Sequence, residues 1–262
     1  TLTSSTISDN TAKVGGGIFN FEGSLFLTNS TLSGNQGYGH LDLRNGVDLG
    51  GGGGALLNLG ENQVPLDGIR PALMVIAFCT IYGNSAVAGG GGITSVEIDQ
   101  QDHQPVTPQE NVQVTVRDSI VVRNAGGDVA GLLITEGHNL FQQGEEASIL
   151  DPDQKHTTDH LLSPATDFSR LIGPLLTTNP GPDGRPGATP TLALLPGNPA
   201  IDAIPRAECA LAISVTDWEG RPVTDPGTRQ PLSITTDHDQ RGVTRPQGTG
   251  CDIGAYEWVQ TG

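Results

Sequence analysis

Leu27-Thr-Asn-Ser-Thr-Leu-Ser-Gly-Asn35 decides how this chain reads, because the phrase recurs. Related versions stand at Leu2-Thr-Ser-Ser-Thr-Ile-Ser-Asp-Asn10, Ile76-Ala-Phe-Cys-Thr-Ile-Tyr-Gly-Asn84 and Val116-Arg-Asp-Ser-Ile-Val-Val-Arg-Asn124. Glycine runs follow the first three, at Gly15 to Gly17, Gly50 to Gly54 and Gly89 to Gly92. A unit repeated in this way buries its apolar face only against the next unit, so the repeat determines the architecture.

Aligned on their asparagines, the copies place Leu25, Met74 and Val114 ten residues upstream, and Leu2, Leu27, Ile76 and Val116 eight upstream. Alternation of this kind marks the inward face of a strand. Closer to the asparagine the inward set changes phase, to Ser5, Ser30, Cys79 and Ser119 and then Ile7, Leu32, Ile81 and Val121. A one-residue slip between two short strands predicts a corner. Asn10, Asn35, Asn84 and Asn124 are read as turn residues that tolerate left-handed backbone or bond to their equivalents one repeat away. The glycine runs then admit a third strand, as in Gly17-Ile-Phe-Asn-Phe21. The expected fold is all-β: a right-handed parallel β-helix with three strands per coil over residues 1–145. Corner insertions are expected near 37–50, 60–71 and 99–110, and a Pro/Gly-rich region, 146–262, is expected to continue and cap the solenoid.

Composition agrees with stacked strands and narrows the partners. The chain has 262 residues, 37 of them glycine, with 29 carboxylates against 13 Lys and Arg, and Lys13 and Lys155 are its only lysines. A net charge of −16 disfavours nucleic acid and anionic membranes. No apolar run has the length of a membrane span, so no membrane insertion is expected in this segment. The chain begins at Thr1, inside a repeat, and is expected to be a processed product or part of something longer.

Two C-terminal stretches carry a resemblance: Leu192-Ala-Leu-Leu-Pro-Gly-Asn-Pro-Ala-Ile-Asp202 and Asp239-Gln-Arg-Gly-Val-Thr-Arg-Pro-Gln-Gly-Thr-Gly-Cys-Asp-Ile-Gly-Ala-Tyr-Glu257. With Gly137-His-Asn-Leu and the repeats, they resemble bacterial surface proteins of the choice-of-anchor Q type, which carry right-handed parallel β-helix repeats. Asn198 departs from that pattern, where serine is usual. The resemblance implies a secreted or cell-surface bacterial protein whose precursor carries an anchoring tail beyond Gly262. Read from the residues alone, Asp239, Arg241, Arg245 and Asp252 suit a carboxylate–guanidinium network that pins an irregular cap. Asp252 to Trp258 is expected to form a last strand closing the open end.

Cys79 occupies a small inward slot and reads as a buried thiol. Cys209 and Cys251 are expected to pair in a secreted protein, the alternative being two free thiols. His156 and His160 have helical ligand spacing, but their surroundings, Asp159 included, read as a solvated loop. Asp151 with Asp153, and Asp237 with Asp239, are candidate oxygen ligands for Ca²⁺, although neither pair forms a recognised calcium loop. No other cofactor is expected. The charged group Arg117, Asp118 and Arg123 reads as a solvated face.

A glycosidase of this fold needs a separated carboxylate pair. The repeats contain neither an Asp-Asp pair nor a Gly-His-Gly segment, so no catalytic residue is expected. The expected function is a non-catalytic structural or adhesive protein, assembling head to tail through open coils or continuing a longer chain. Glycans or other cell surfaces are further expected partners. The alternative is a polysaccharide-binding or polysaccharide-degrading protein.

Overall fold

The computed structural model describes residues 1–39, 42–43, 47–48, 52–62, 72–99, 111–142, 156–185, 187–209, 212–216, 221–224 and 228–260. Asp151, Asp153 and most of the three corner insertions lie outside these residues. The regular structure of the described residues is nearly all β; its one helical element is a 3₁₀ turn at Phe168–Arg170.

The chain makes successive passes through the same sheets, always in parallel register. The first pass runs through Leu2–Thr3, Thr6–Ser8, Thr11–Ala12 and Ile18–Phe21. The second runs through Ser24–Thr28, Thr31–Ser33, Gln36–Gly37 and Leu56–Asn62, and the third through Ala72–Ala77, Thr80–Tyr82, Ser85–Ala86 and Ile93–Asp99. Val112–Arg117, Ile120–Val122 and Val129–Ala130 make the fourth. Ile134–Thr135 with Leu140–Gln142, and then His160–Leu162, extend the stack. Each of the first three passes therefore has four strands rather than three: the two residues after the asparagine form a short parallel sheet of their own.

The predicted inward columns fill the interior. Leu2, Leu27, Ile76 and Val116 pair in sequence across the first sheet, and Ile7, Leu32, Ile81, Val121 and Phe141 across the second. Ile18, Leu56, Ile93 and Val129 line the last sheet. These residues form one continuous apolar core that contains Cys79 and Met74.

The phase slip has a single cause. Ser4, Asn29, Phe78, Asp118 and His138 all take positive φ, between 45° and 51°, and occupy the same corner in five consecutive passes. One left-handed residue reverses the side-chain alternation and turns the chain between sheets. A second corner column is left-handed at Asp9, Gly34, Gly83 and Arg123. The asparagines themselves are not left-handed. In every case the preceding residue takes the strain, which frees the asparagine for hydrogen bonding.

Apart from His160–Leu162, which adds a strand to the end of the stack, the described C-terminal residues lie along its side. A second apolar core joins the outward residues Phe26, Val75, Phe78, Ile120 and Val122 to Phe168, Ile172, Leu192, Leu194, Ile204 and Ile253. Strands such as Ala72–Ala77 are apolar on both faces and so need cover on both. The cover is made of antiparallel pairs, Ile172–Leu176 with Thr191–Leu194, Ile204–Pro205 with Gly250–Cys251, and Ala212–Ser214 with Ser233–Thr235. Asp252 to Trp258 is not a strand but an irregular run packed over the first corner column. Among the described residues no helix is long and apolar enough to cross a membrane.

Candidate functional site

Two polar columns run along the stack, and a third polar pair joins two of its passes. In the asparagine column, Asn10 donates its backbone N–H and its Nδ2–H to Oδ1 of Asn35, at 3.2 and 3.0 Å. Asn35 does the same to Asn84, at 2.9 and 2.9 Å, and Asn84 to Asn124, at 3.0 and 2.9 Å. The second Nδ2 proton reaches back to the preceding pass, from Asn35 to Ile7 O, Asn84 to Leu32 O and Asn124 to Ile81 O. Asn124 then donates to Oδ1 of Asp128, whose Oδ2 accepts the backbone N–H of Gln142. Burial pushes the Asp128 carboxyl up to about 6.

A second column links Ser5 to Ser30, Cys79 to Ser119, Ser119 to Asn139 and Asn139 to Asp159, each through a backbone N–H donated to the next side chain. Asp159, expected in a solvated loop, is 6% exposed and closes this column. Its signal was present in the even spacing of Ser119, Asn139 and Asp159. In the third pair Asn20 donates to Oδ1 of Asn58 at 2.6 Å.

The seam between stack and flank holds the expected charge network. Asp239 Oδ2 accepts Nε and Nη2 of Arg241, at 2.9 and 2.6 Å, while its Oδ1 accepts the N–H groups of Arg241 and Val243. Arg245 Nη1 lies 2.9 Å from Oε2 of Glu257 and also donates to Asp252 O, while Nη2 donates to Gly254 O. Asp252 contributes through backbone partners instead: its carboxylate accepts N–H groups from Asp202 and Trp258. Both guanidiniums stack on rings, Arg241 over Tyr256 and Arg245 over Phe78, the latter a stack residue. Burial, then the neighbouring Glu257 charge, raises Asp252 to about 7, and burial raises Glu257 as well.

The same seam contains a group that the sequence reading placed in solvent. Asp118 is 1% exposed, with Arg117 Nε 2.9 Å from its Oδ2. His138, one pass on, stands 3.6 Å from Asp118 Oδ1 through Nδ1 and 3.3 Å from Glu208 Oε2 through Nε2. The Asp118 carboxylate raises the His138 pKa. Arg123, by contrast, is exposed and lines a shallow cleft of about 370 Å³ with Gln142, Thr166 and Asp167.

Cys209 and Cys251 form a disulfide within the flank, a bond that suits an oxidising environment. Cys79 is free and buried, and burial pushes its thiol up to about 12. Of the calcium candidates, Asp239 faces a guanidinium with its lone pairs taken up by donors, and half-exposed Asp237 lies 3.0 Å from His238. Among the described residues no three His, Cys, Asp or Glu side chains converge as a cation site. His156 and His160 are exposed, the former bonded to Thr158. No family model matches the chain, and neither a curated protein nor a solved structure matches it.

Proposed function

We propose that this chain is a non-catalytic structural or adhesive protein of the bacterial surface or extracellular space, built as a right-handed parallel β-helix of the choice-of-anchor Q type. One observation carries the reading: the flank is fastened along five consecutive passes. Thr6 Oγ1 donates to Pro190 O, Thr31 Oγ1 to Gln240 Oε1, Ala255 N–H to Thr80 Oγ1 and Gly254 N–H to Asp118 O, while Glu208 meets His138. The buried carboxylates at this seam serve as fasteners, held by arginines and backbone donors, and the disulfide lies among them. Such an arrangement suits a rigid rod outside the cell.

A panel of polysaccharides, assayed for new reducing ends and for unsaturated products, tests the non-catalytic part. Turnover that disappears when one carboxylate is neutralised overturns it. The second reading, glycan binding, draws on the exposed Phe19 and Phe21 rings, 6.2 Å apart on an edge strand, because aromatic faces suit sugar stacking. Retention on immobilised glycans that is lost in Phe19→Ala/Phe21→Ala supports that reading.

A further inference from the structure

We infer that the cleft at the second corner of the fourth pass, between Arg123 and Asp167, binds the end of an uncharged oligosaccharide. The inference goes beyond the structural reading, since the fastened stack stands whether or not the cleft is filled. It also concerns different residues from Phe19 and Phe21.

Arg123, at φ 60°, holds the left-handed place in the corner column that Gly34 and Gly83 fill in the two preceding passes. Glycine takes that conformation freely, whereas a long side chain is strained there. A Cβ added at Gly83 would meet nothing within 4 Å, so this column projects outward and offers little packing in return. Strain kept without a packing return marks a functional position. Arg117, Arg170, Arg185, Arg241 and Arg245 each pair with a carboxylate. Among the described residues the exposed Arg123 guanidinium has no such partner.

The cleft is held open by its own bonds. One wall is the stack corner and the other is the turn that leads into the flank, backed by buried Phe168. Gln142 ties them together: its Oε1 accepts the Arg123 N–H and its Nε2 donates to Pro164 O, both at 3.1 Å. Its own N–H is fixed to Asp128 at the end of the asparagine ladder. A volume of about 370 Å³ suits a small ligand. Arg123 offers a planar set of donors and Asp167 a planar acceptor, kept ionised by the Ser169 hydroxyl and then by Arg170 and Arg123. The Thr166 hydroxyl, unbonded among the described residues, can give or take a proton. Neighbouring hydroxyls on a sugar ring each donate and accept, so they satisfy both lips at once. An anionic sugar gains at Arg123 what it loses at Asp167, and the net charge of −16 opposes it further.

Maltotriose, cellotriose, xylotriose and mannotriose, with trigalacturonic acid as the charged comparison, test the inference on the intact chain. Backbone amide shifts are followed up to about 20 mM sugar, weak binding being the range expected of so open a site. The expected result is binding of at least one neutral trisaccharide, with shifts centred on Arg123, Gln142 and Thr166 to Phe168. Arg123→Gly and Asp167→Asn should each weaken it about tenfold or more, while Phe19→Ala/Phe21→Ala leaves it unchanged. Because glycine suits the left-handed corner, Arg123→Gly should melt no lower than the parent chain, which separates lost binding from lost folding. Absence of binding by all four neutral sugars overturns the inference. So do tighter binding of trigalacturonic acid, unchanged affinity in both cleft variants, or a lower melting temperature for Arg123→Gly.

Discussion

Asn84→Ala removes the central rung of the asparagine ladder. Asn84 is 1% exposed and its side chain makes four hydrogen bonds, two accepted from Asn35 and two donated, to Leu32 O and Asn124 Oδ1. At about 1 kcal/mol net for each bond, and with buried partners left unsatisfied, the loss is on the order of 4 kcal/mol. Asn10→Ala provides the internal control. Its side chain makes one bond, to Asn35, at an exposed edge, so that change costs about 1 kcal/mol. Asn84→Asp keeps both accepted bonds but turns an acceptor toward Leu32 O and Asn124 Oδ1. It is expected to be at least as damaging as the alanine. Urea denaturation with the disulfide intact, compared at constant m-value, measures all three. If Asn84→Ala falls within about 1 kcal/mol of Asn10→Ala, the ladder does not hold the passes together and the reasoning fails.

Three other expectations follow from the same structure. Cys209→Ala/Cys251→Ala opens a link between residues separated by 42 positions, and loop entropy sets the destabilisation at about 4 kcal/mol, read as a lower denaturation midpoint. Cys79, fully buried with its thiol pushed up to about 12, should resist a maleimide in the native chain and react after unfolding, by intact mass. Thermal stability should fall between about pH 5 and pH 8. His138, raised by Asp118, contributes stability fully below its ordinary 6.5 and loses it as pH rises through the higher folded value. Asp128, raised to about 6, and Asp252, raised to about 7, hold protons that the unfolded chain has released, so they act in the same direction. A melting temperature that rises across this window refutes those assignments, and His138→Gln should flatten part of the slope.

The interior of the stack was legible because period-two alternation records which face is buried. The phase slip located the corner, and the slot shared by Ser5, Ser30 and Ser119 explained Cys79. Two features were hidden. Asp128 completes its column from only four residues beyond Asn124, outside the frame of the repeat, so alignment could not reveal it. The lateral flank is irregular and antiparallel, with no period to read. Its trace lay in the opposite face: Val75, Ile120 and Val122 are apolar where a solvated strand would be polar. Asp118 and Arg117 looked like a solvated pair because charge alone does not reveal that a distant segment will cover them.

The flank acts as a splint. In an ordinary repeat array the terminal unit frays first, since it has one neighbour instead of two. Here Thr6 and Ser4 of the first pass are tied to Pro190 and Thr189, and His138 of the fifth to Glu208, so one continuous element spans the array. Peeling a single pass therefore means detaching it from the splint as well. Hydrogen exchange along the passes should be nearly uniform, and the fastened passes should yield together under load.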